Sequence, residues 1–201
     1  QGPKIRVERF ADGKVQLLGL TLVTGNFWLE EEEPAAIKAI DRLGLDKLVP
    51  IFAGAQGPLL HDHASFEQEK ALLGTGDGFW GAWLRPRPAS AAIDPAAHAH
   101  IQAENAVDFI IDAVRKKPHQ VTIIAIGPMT NIALAIRKAP DIVPLIKRIV
   151  EMGGAFDVPG NTMPAAEFNI WFDPEAAKIV WRAPIEHVIV PLDVTNSAQV
   201  G

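Results

Sequence analysis

Short apolar runs alternate with amphipathic helical patterns along this chain, and this alternation constrains the fold more than any other feature. Nearly continuous apolar runs are typical of strands buried on both faces. Five segments are predicted to be extended: Leu17–Val23, Leu48–Ala53, Val121–Ile126, Ile149–Met152 and His187–Leu192. The alternation indicates an α/β fold with an open, mostly parallel, Rossmann-like sheet and helices on both faces.

The segments between these runs carry helix patterns with recognisable ends. Pro34 is predicted to open a helix that has Gly44 just past its end, and the acidic run Glu30–Glu33 is predicted to be its solvated entrance. Asp173 and Pro174 have the residue types of an N-cap and a first helical position. Helices are also predicted over the apolar stripe from Ala106 to Val114, over Asn131–Lys138 and over Ile142–Lys147. Residues 54–98 show no sustained period and predict a long irregular segment that covers a site.

Composition narrows the function classes. The 201 residues are 48% hydrophobic and 21% charged, which predicts a single soluble domain over 1–201. The net charge of −5, without a basic stripe, argues against a nucleic-acid polymer as partner. No run reaches the roughly 18 apolar residues of a membrane helix. The sequence has no cysteine and begins with Gln, which leaves a cytoplasmic location or export after loss of a signal peptide open.

Polar side chains, most of them uncharged, follow the predicted strands, at the edge where parallel sheets bind ligands. Asn26 and Asn131 lie just beyond two strands, and Asn161, Glu167 and Asn169 follow a third. Amide and carboxylate groups at such an edge suit a polyhydroxylated ligand such as a sugar ring. The alternative is that each Asn caps a helix or a turn, a position that asparagine favours for local reasons.

Several of these segments together resemble the nucleoside hydrolases, the inosine-uridine-preferring N-ribohydrolase family. The resemblance is carried by the segments from Met152 to Asn161 and from Ala166 to Ala176, by Gly127–Leu134, by Val23–Asn26 and by Leu192–Asn196, in the order of the family. It extends from about Val15 to Asn196 and is weakest over residues 61–98. It implies hydrolysis of the N-glycosidic bond between ribose and a base, with a lean towards purine nucleosides.

The resemblance also assigns roles to individual residues. Asn161, Glu167 and Asn169 would hold the ribose hydroxyls, and Met152 would line the sugar pocket. Asn26 would order the catalytic carboxylates. The backbone carbonyl of Ile126 would be a ligand of a calcium ion, which with an Asp base activates the attacking water. Hydrogen bonds to sugar hydroxyls that strengthen in the transition state contribute to the rate of glycoside hydrolysis.

This chain departs from the family pattern at the positions of the metal ligands and of the catalytic base. Family members open with an aspartate cluster, Asp-x-Asp-x-Gly-x-Asp-Asp, whereas this chain has Lys4–Phe10 in the corresponding place. The family's last calcium-binding Asp lies well beyond the strand that ends at Asn196. Among the implied calcium ligands only the Ile126 carbonyl is matched, although calcium takes six to eight oxygens. No catalytic base is assigned in this sequence.

Two groups in the irregular segment have alternative roles. Trp80 and Trp83 could stack on a purine ring, or they could form a hydrophobic cover or a contact between subunits of a homo-oligomer. The run His61-Asp62-His63 could bind a metal ion, but no third ligand is evident nearby in the sequence.

Three hypotheses therefore remain open. The first is a nucleoside hydrolase. The second is a non-catalytic protein that binds ribose or nucleosides and has lost the metal site. The third, expected to explain the missing aspartates, is that these 201 residues are an incomplete version of an enzyme.

Overall fold

The computed structural model describes residues 15–45, 49–73, 78–89 and 100–198, and these residues form parallel strands and helices. Two short strands, β1 and β2, pair in parallel, and three more pair in the order β3-β4-β5, also in parallel. The strands are β1 (Leu20–Thr21), β2 (Ile51–Phe52), β3 (Thr122–Ala125), β4 (Arg148–Met152) and β5 (His187–Val190). The predicted α/β class with parallel strands is confirmed, as two sheets within the described residues.

Helices connect these strands. The α-helices are α1 (Leu29–Arg42), α2 (His63–Leu73), α3 (Ala106–Lys116), α4 (Thr130–Lys138), α5 (Phe168–Phe172), α6 (Pro174–Arg182) and α7 (Leu192–Thr195). Two 3₁₀ helices span Gly81–Leu84 and Pro140–Leu145. No helix among the described residues is both long enough and apolar enough to cross a membrane.

Most predicted helix ends are explained by local chemistry. The side chain of Asp173 accepts a hydrogen bond from the Ala176 amide, and Pro174 takes the first position of α6, as its sequence predicts. Gly44 follows α1 with a φ of +67°, a left-handed conformation that costs glycine little. The predicted start of α1 at Pro34 is wrong. The helix begins at Leu29, because the acidic residues Glu30, Glu31 and Glu32 form its first turn, where the helix dipole favours them.

Two further predictions need correction. Residues 54–98 are not irregular throughout, because α2 and the 3₁₀ helix Gly81–Leu84 lie within them. Within the predicted strand Leu17–Val23, only the two residues of β1 pair with a neighbouring strand, because β2 is equally short. A continuous apolar run indicates burial more reliably than it indicates the length of a strand.

The core has an aliphatic and an aromatic part. The aliphatic cluster packs α3, α4 and α6 on one face of the three-stranded sheet, around Ile149 and Val180. The aromatic cluster consists of Phe66, Trp80, Trp83, Phe168, Trp171 and Phe172, with Ala82. A smaller cluster packs α1 against β1 and β2.

The second face of the three-stranded sheet is open within the described residues. Ile124, Val150 and Val188 are in register across β3, β4 and β5, and they alternate with the residues that face the aliphatic cluster. Ile124 is 68% exposed and Val188 is 40% exposed.

Candidate functional site

The predicted site residues gather at the carboxyl edge of the strands. Met152 ends β4, and Ile126 follows β3 directly opposite it, because Ala125 and Glu151 are partners in the ladder. Gly25, which precedes Asn26, lies against Pro128 and Phe168. Its carbonyl accepts a hydrogen bond from the Ala82 amide. Residues that are far apart in sequence therefore meet at one edge, as parallel topology requires.

Glu167 is the best-defined polar group of this edge. Its side chain is buried and caps the start of α5: Oε1 accepts from the Asn169 amide at 2.9 Å, and Oε2 accepts from the Ile170 amide at 3.2 Å. Oε2 also accepts from the Gly154 amide at 3.2 Å, just beyond β4. Burial raises the pKa of this carboxyl above its ordinary value, and the three backbone hydrogen bonds oppose the rise. Because a carboxylate oxygen has two lone pairs, Oε1 keeps one for a ligand.

The two asparagines of the same segment each retain a free polar atom. Asn169 Nδ2 donates to the Met152 carbonyl at 3.0 Å, which leaves Oδ1 as an acceptor. Asn161 Oδ1 accepts from the Phe168 amide at 2.8 Å, which leaves Nδ2 as a donor. Asn169 is buried, whereas Asn161 and Asn26 are exposed. The edge therefore offers one donor and two acceptors of the kinds that sugar hydroxyls use.

Trp80 and Trp83 lie within the aromatic cluster. They are 2% and 5% exposed, and their rings contact Phe66 and Trp171 at centroid distances from 5.2 to 5.8 Å. Neither indole presents an open face within the described residues. Stacking on a base, or a contact with another subunit, would require this packing to change, so both roles stay predictions that the arrangement does not favour.

A cavity of about 660 Å³ opens beside Glu167. Its walls come from α2, α5 and α6 and from the residues that follow β4, and they include His61, Glu69, Trp171, Glu175 and Trp181. Glu167 is the predicted ribose-binding residue that reaches this cavity. The sequence assigned no ligand role to Glu69, Trp171, Glu175 or Trp181, because nothing in their spacing indicates that α2, α5 and α6 line the same cavity.

The described residues do not fit a calcium site. They contain no group of three or more His, Asp or Glu side chains that could hold a metal ion. Ile126 contributes a backbone carbonyl, and its side chain is largely exposed. The histidines of the run at 61–63 pair with Glu69 and Glu67 instead of converging on one point. We therefore derive no reaction step through a metal ion.

Solved structures of known proteins share this fold. The chain is similar to the purine-preferring ribonucleoside hydrolase from Gardnerella vaginalis, with 32% identity and a TM-score of 0.67, over 89% of this chain and 53% of that one. The fold of the described residues is therefore similar to that of a nucleoside hydrolase.

Sequence comparison identifies the family. The family described as inosine-uridine preferring nucleoside hydrolase matches residues 7–201, and the chain belongs to it. An uncharacterised protein of Schizosaccharomyces pombe is 40% identical over 92% of this chain and 56% of its own length. A probable uridine nucleosidase of Oryza sativa subsp. japonica is 35% identical, over 90% of this chain and 52% of its own length. The chain spans about half the length of these relatives.

Proposed function

We propose that this chain belongs to an enzyme that hydrolyses the N-glycosidic bond of ribonucleosides. Family membership supports the reaction class, and the arrangement around Glu167 is the single observation that carries the proposal to this chain. In the reaction, the bond from the base nitrogen to C1′ breaks, the hydroxide part of water joins C1′, and the remaining proton goes to the base.

The residues of this chain bind and orient the sugar in this proposal. Glu167 Oε1 and Asn169 Oδ1 accept hydrogen bonds from ribose hydroxyls, and Asn161 Nδ2 donates one. Burial strengthens such bonds, because few water molecules compete for the buried Glu167 and Asn169. The proposal assigns no base to the described residues.

Release of reducing sugar from inosine, adenosine, uridine and cytidine tests this function. We expect the protein to release ribose. We expect Asn169→Ala to lower kcat/KM about tenfold to a hundredfold, the effect of one lost hydrogen bond to substrate. Asn105→Ser is the matched control, because Asn105 caps the start of α3 with its side chain and serine retains that function. A parallel series with a calcium chelator tests the metal that the family resemblance implies.

Base preference is a finer proposal. The solved purine-preferring relative supports a lean towards purines, whereas the rice relative is named for uridine. The ratio of kcat/KM for inosine to that for uridine measures it. A ratio above one supports the lean, and a ratio below one contradicts it.

A second candidate function is binding without catalysis. It is favoured by the arrangement of Glu167, Asn161 and Asn169, whose free polar atoms suit sugar hydroxyls and whose proposed roles are all binding roles. Calorimetric binding of a riboside, without release of ribose by the full chain, would support it. Measurable turnover would remove it.

A further inference from the structure

A buried carboxylate lies in the middle strand of the three-stranded sheet. Glu151 of β4 is 1% exposed. It follows Ile149 by two residues, so its side chain points to the face of the sheet that the aliphatic cluster covers. A carboxylate that is ionised inside a protein is costly unless hydrogen bonds and an opposite charge compensate for its lost hydration. The partners of Glu151 therefore determine how well its charge is tolerated.

Two side chains supply these partners. Trp181 Nε1, from α6, donates to Glu151 Oε1 at 2.6 Å. His187 Nδ1, from β5, lies 3.3 Å from Glu151 Oε2, and the His187 side chain is 15% exposed. His187 is the partner of Ile149 in the ladder, which places its ring on the same face of the sheet as Glu151. One indole and one imidazole thus share a single buried carboxylate.

Among the described residues, no lysine or arginine pairs with Glu151. Arg148 of β4 pairs instead with Glu186, just before β5, at 3.5 Å. The other titratable residues of the neighbouring helix α6 are Glu175 in its first turn and the exposed Lys178 and Arg182. The cations of α3 and α4, which cover the same face, are all exposed: Arg115, Lys116, Arg137 and Lys138. The acids of these two helices, Asp108 and Asp112, bond to Lys138 and Lys116, and β3 carries no titratable residue.

Histidine is the side chain that ordinarily gains and loses its proton near neutral pH. Glu151 therefore has a cationic partner only while His187 carries its second proton. When that proton is lost, the buried carboxylate retains hydrogen bonds to neutral groups alone, and these compensate less well for a buried charge.

Trp181 connects this buried pair with the cavity beside Glu167. Its side chain is 37% exposed, and it lines the cavity together with Gly154 and Ile170. His187 is fixed in a strand, whereas the indole lies at the edge of the protein interior. Trp181 is therefore the partner of Glu151 that is free to turn outward and admit water to the carboxylate.

We propose that Glu151, His187 and Trp181 form a proton-linked switch that changes the wall of the cavity with pH. At lower pH, the His187 imidazolium and the Glu151 carboxylate form an ion pair, and Trp181 is held against the carboxylate. At higher pH the ion pair is lost, the hydrogen bond from Trp181 Nε1 lengthens, and the indole turns towards the cavity. The switch is independent of the proposed hydrolase function, because it requires neither substrate nor turnover.

The indole N–H signal of Trp181 in a ¹H–¹⁵N correlation spectrum tests the proposal in the wild-type protein. The sequence has five tryptophans, and the signal that disappears in Trp181→Phe belongs to Trp181. We expect this signal to move in one step between about pH 5 and pH 8, with the same midpoint as the ring protons of His187. A signal that stays in place over this range, or two different midpoints, would overturn the proposal. Fluorescence is less specific, because His61 contacts two other tryptophans, Trp83 and Trp171, at centroid distances of 5.0 and 4.9 Å.

Variants assign the step to the buried pair. His187→Gln removes the titrating ring, and Glu151→Gln removes the charge but keeps an acceptor for Trp181, so each should abolish the step in the Trp181 signal. His63→Gln is the matched control, because His63 pairs with Glu67 on α2, where the two side chains are 58% and 55% exposed. The step should persist in this control. A step that persists in His187→Gln, or that is lost in His63→Gln, would contradict the assignment, and the two wild-type midpoints remain the test if a buried variant does not fold.

Discussion

The aliphatic and aromatic clusters of this protein are built from different sequence information. Side chains of the aliphatic cluster repeat at helical or strand spacing within short segments, as in Ile110, Ile111 and Val114 on α3. The aromatic cluster joins Phe66 of α2 and Trp80 to Trp171 of α5, which lies about 100 residues further along the chain. Local periodicity therefore reveals the first cluster, whereas only tertiary structure assembles the second.

The candidate site lies where these two regions meet. Glu167 begins the helix that carries Phe168, Trp171 and Phe172 into the aromatic cluster. Its carboxylate also accepts a hydrogen bond from the amide of Gly154, which lies just beyond β4, a strand of the aliphatic region. The position of Glu167 thus depends on both parts of the core.

The largest expected effect comes from opening the aromatic cluster. Phe66 is fully buried and contacts Trp80, Trp83 and Trp171, so Phe66→Ala should lower the free energy of unfolding by about 3–5 kcal/mol. Urea unfolding followed by circular dichroism measures this change. Leu72→Ala, on the same helix and 82% exposed, should change it by less than about 0.5 kcal/mol. A loss below about 1 kcal/mol in Phe66→Ala would mean that the cluster contributes little.

The link between α4 and the residues that follow β1 and β2 gives the next largest effect. Asn131 Nδ2 donates to the Leu22 carbonyl and Oδ1 accepts from the Ala55 amide, both at 2.8 Å. Asn131→Ala leaves both backbone groups unpaired and should lower the free energy of unfolding by about 1–3 kcal/mol. Asn196→Ala, at an exposed position, is the control. Equal stabilities of the two variants would show that this link is dispensable.

A conservative substitution in the aliphatic cluster should lower the free energy of unfolding by a smaller amount. Ile149 is fully buried in β4, and Ile149→Val should lower the free energy of unfolding by about 0.5–1.5 kcal/mol. Ile124→Val, on the open face of the neighbouring strand, should have no measurable effect, because its side chain is already exposed. If the second substitution were the more costly, the face of Ile124 would be covered in solution.

The smallest expected effect is a change in the pH dependence of stability. Burial raises the pKa of Glu167, so the folded protein retains a proton that the unfolded chain has released. The bound proton therefore stabilises the folded state. This stabilisation is complete below the ordinary pKa of 4.5 and is lost as the pH rises through the raised pKa of the folded protein. Urea unfolding from pH 4 to 7 should therefore show Glu167→Gln gaining stability relative to the wild type as the pH rises.

Asp193 provides the opposite case for comparison. Backbone hydrogen bonds from Phe156 and Asp157 lower its pKa below the ordinary value of 3.8. It stabilises the fold above that value, and the contribution is lost as the pH falls through the lowered folded pKa. Asp193→Asn should therefore lose stability relative to the wild type as the pH rises through this range. Slopes of the same sign in both variants would contradict these assignments.

Much of the fold was predictable because its determinants are local. Asp173 and Pro174 define the start of α6, and the apolar run before Gly127 defines β3. The start of α1 at Leu29 was not predictable from Pro34. Proline is common at the entrance of a helix, and the acidic residues before Pro34 have the same composition whether they precede the helix or form its first turn. The gathering of Met152, Glu167 and Asn169 was predictable from the strand ends and the family resemblance.

The sequence by itself determined the alternation of strands and helices, the family and the polar carboxyl edge, because each depends on residue types at short, regular spacing. Only the tertiary structure decided that Trp80 and Trp83 pack inside the protein, and that His61, Glu175 and Trp171 share a cavity. The physical reason is that burial and cavity walls depend on which helices pack together. That choice is made by long-range contacts between surfaces, which no spacing within a single segment records.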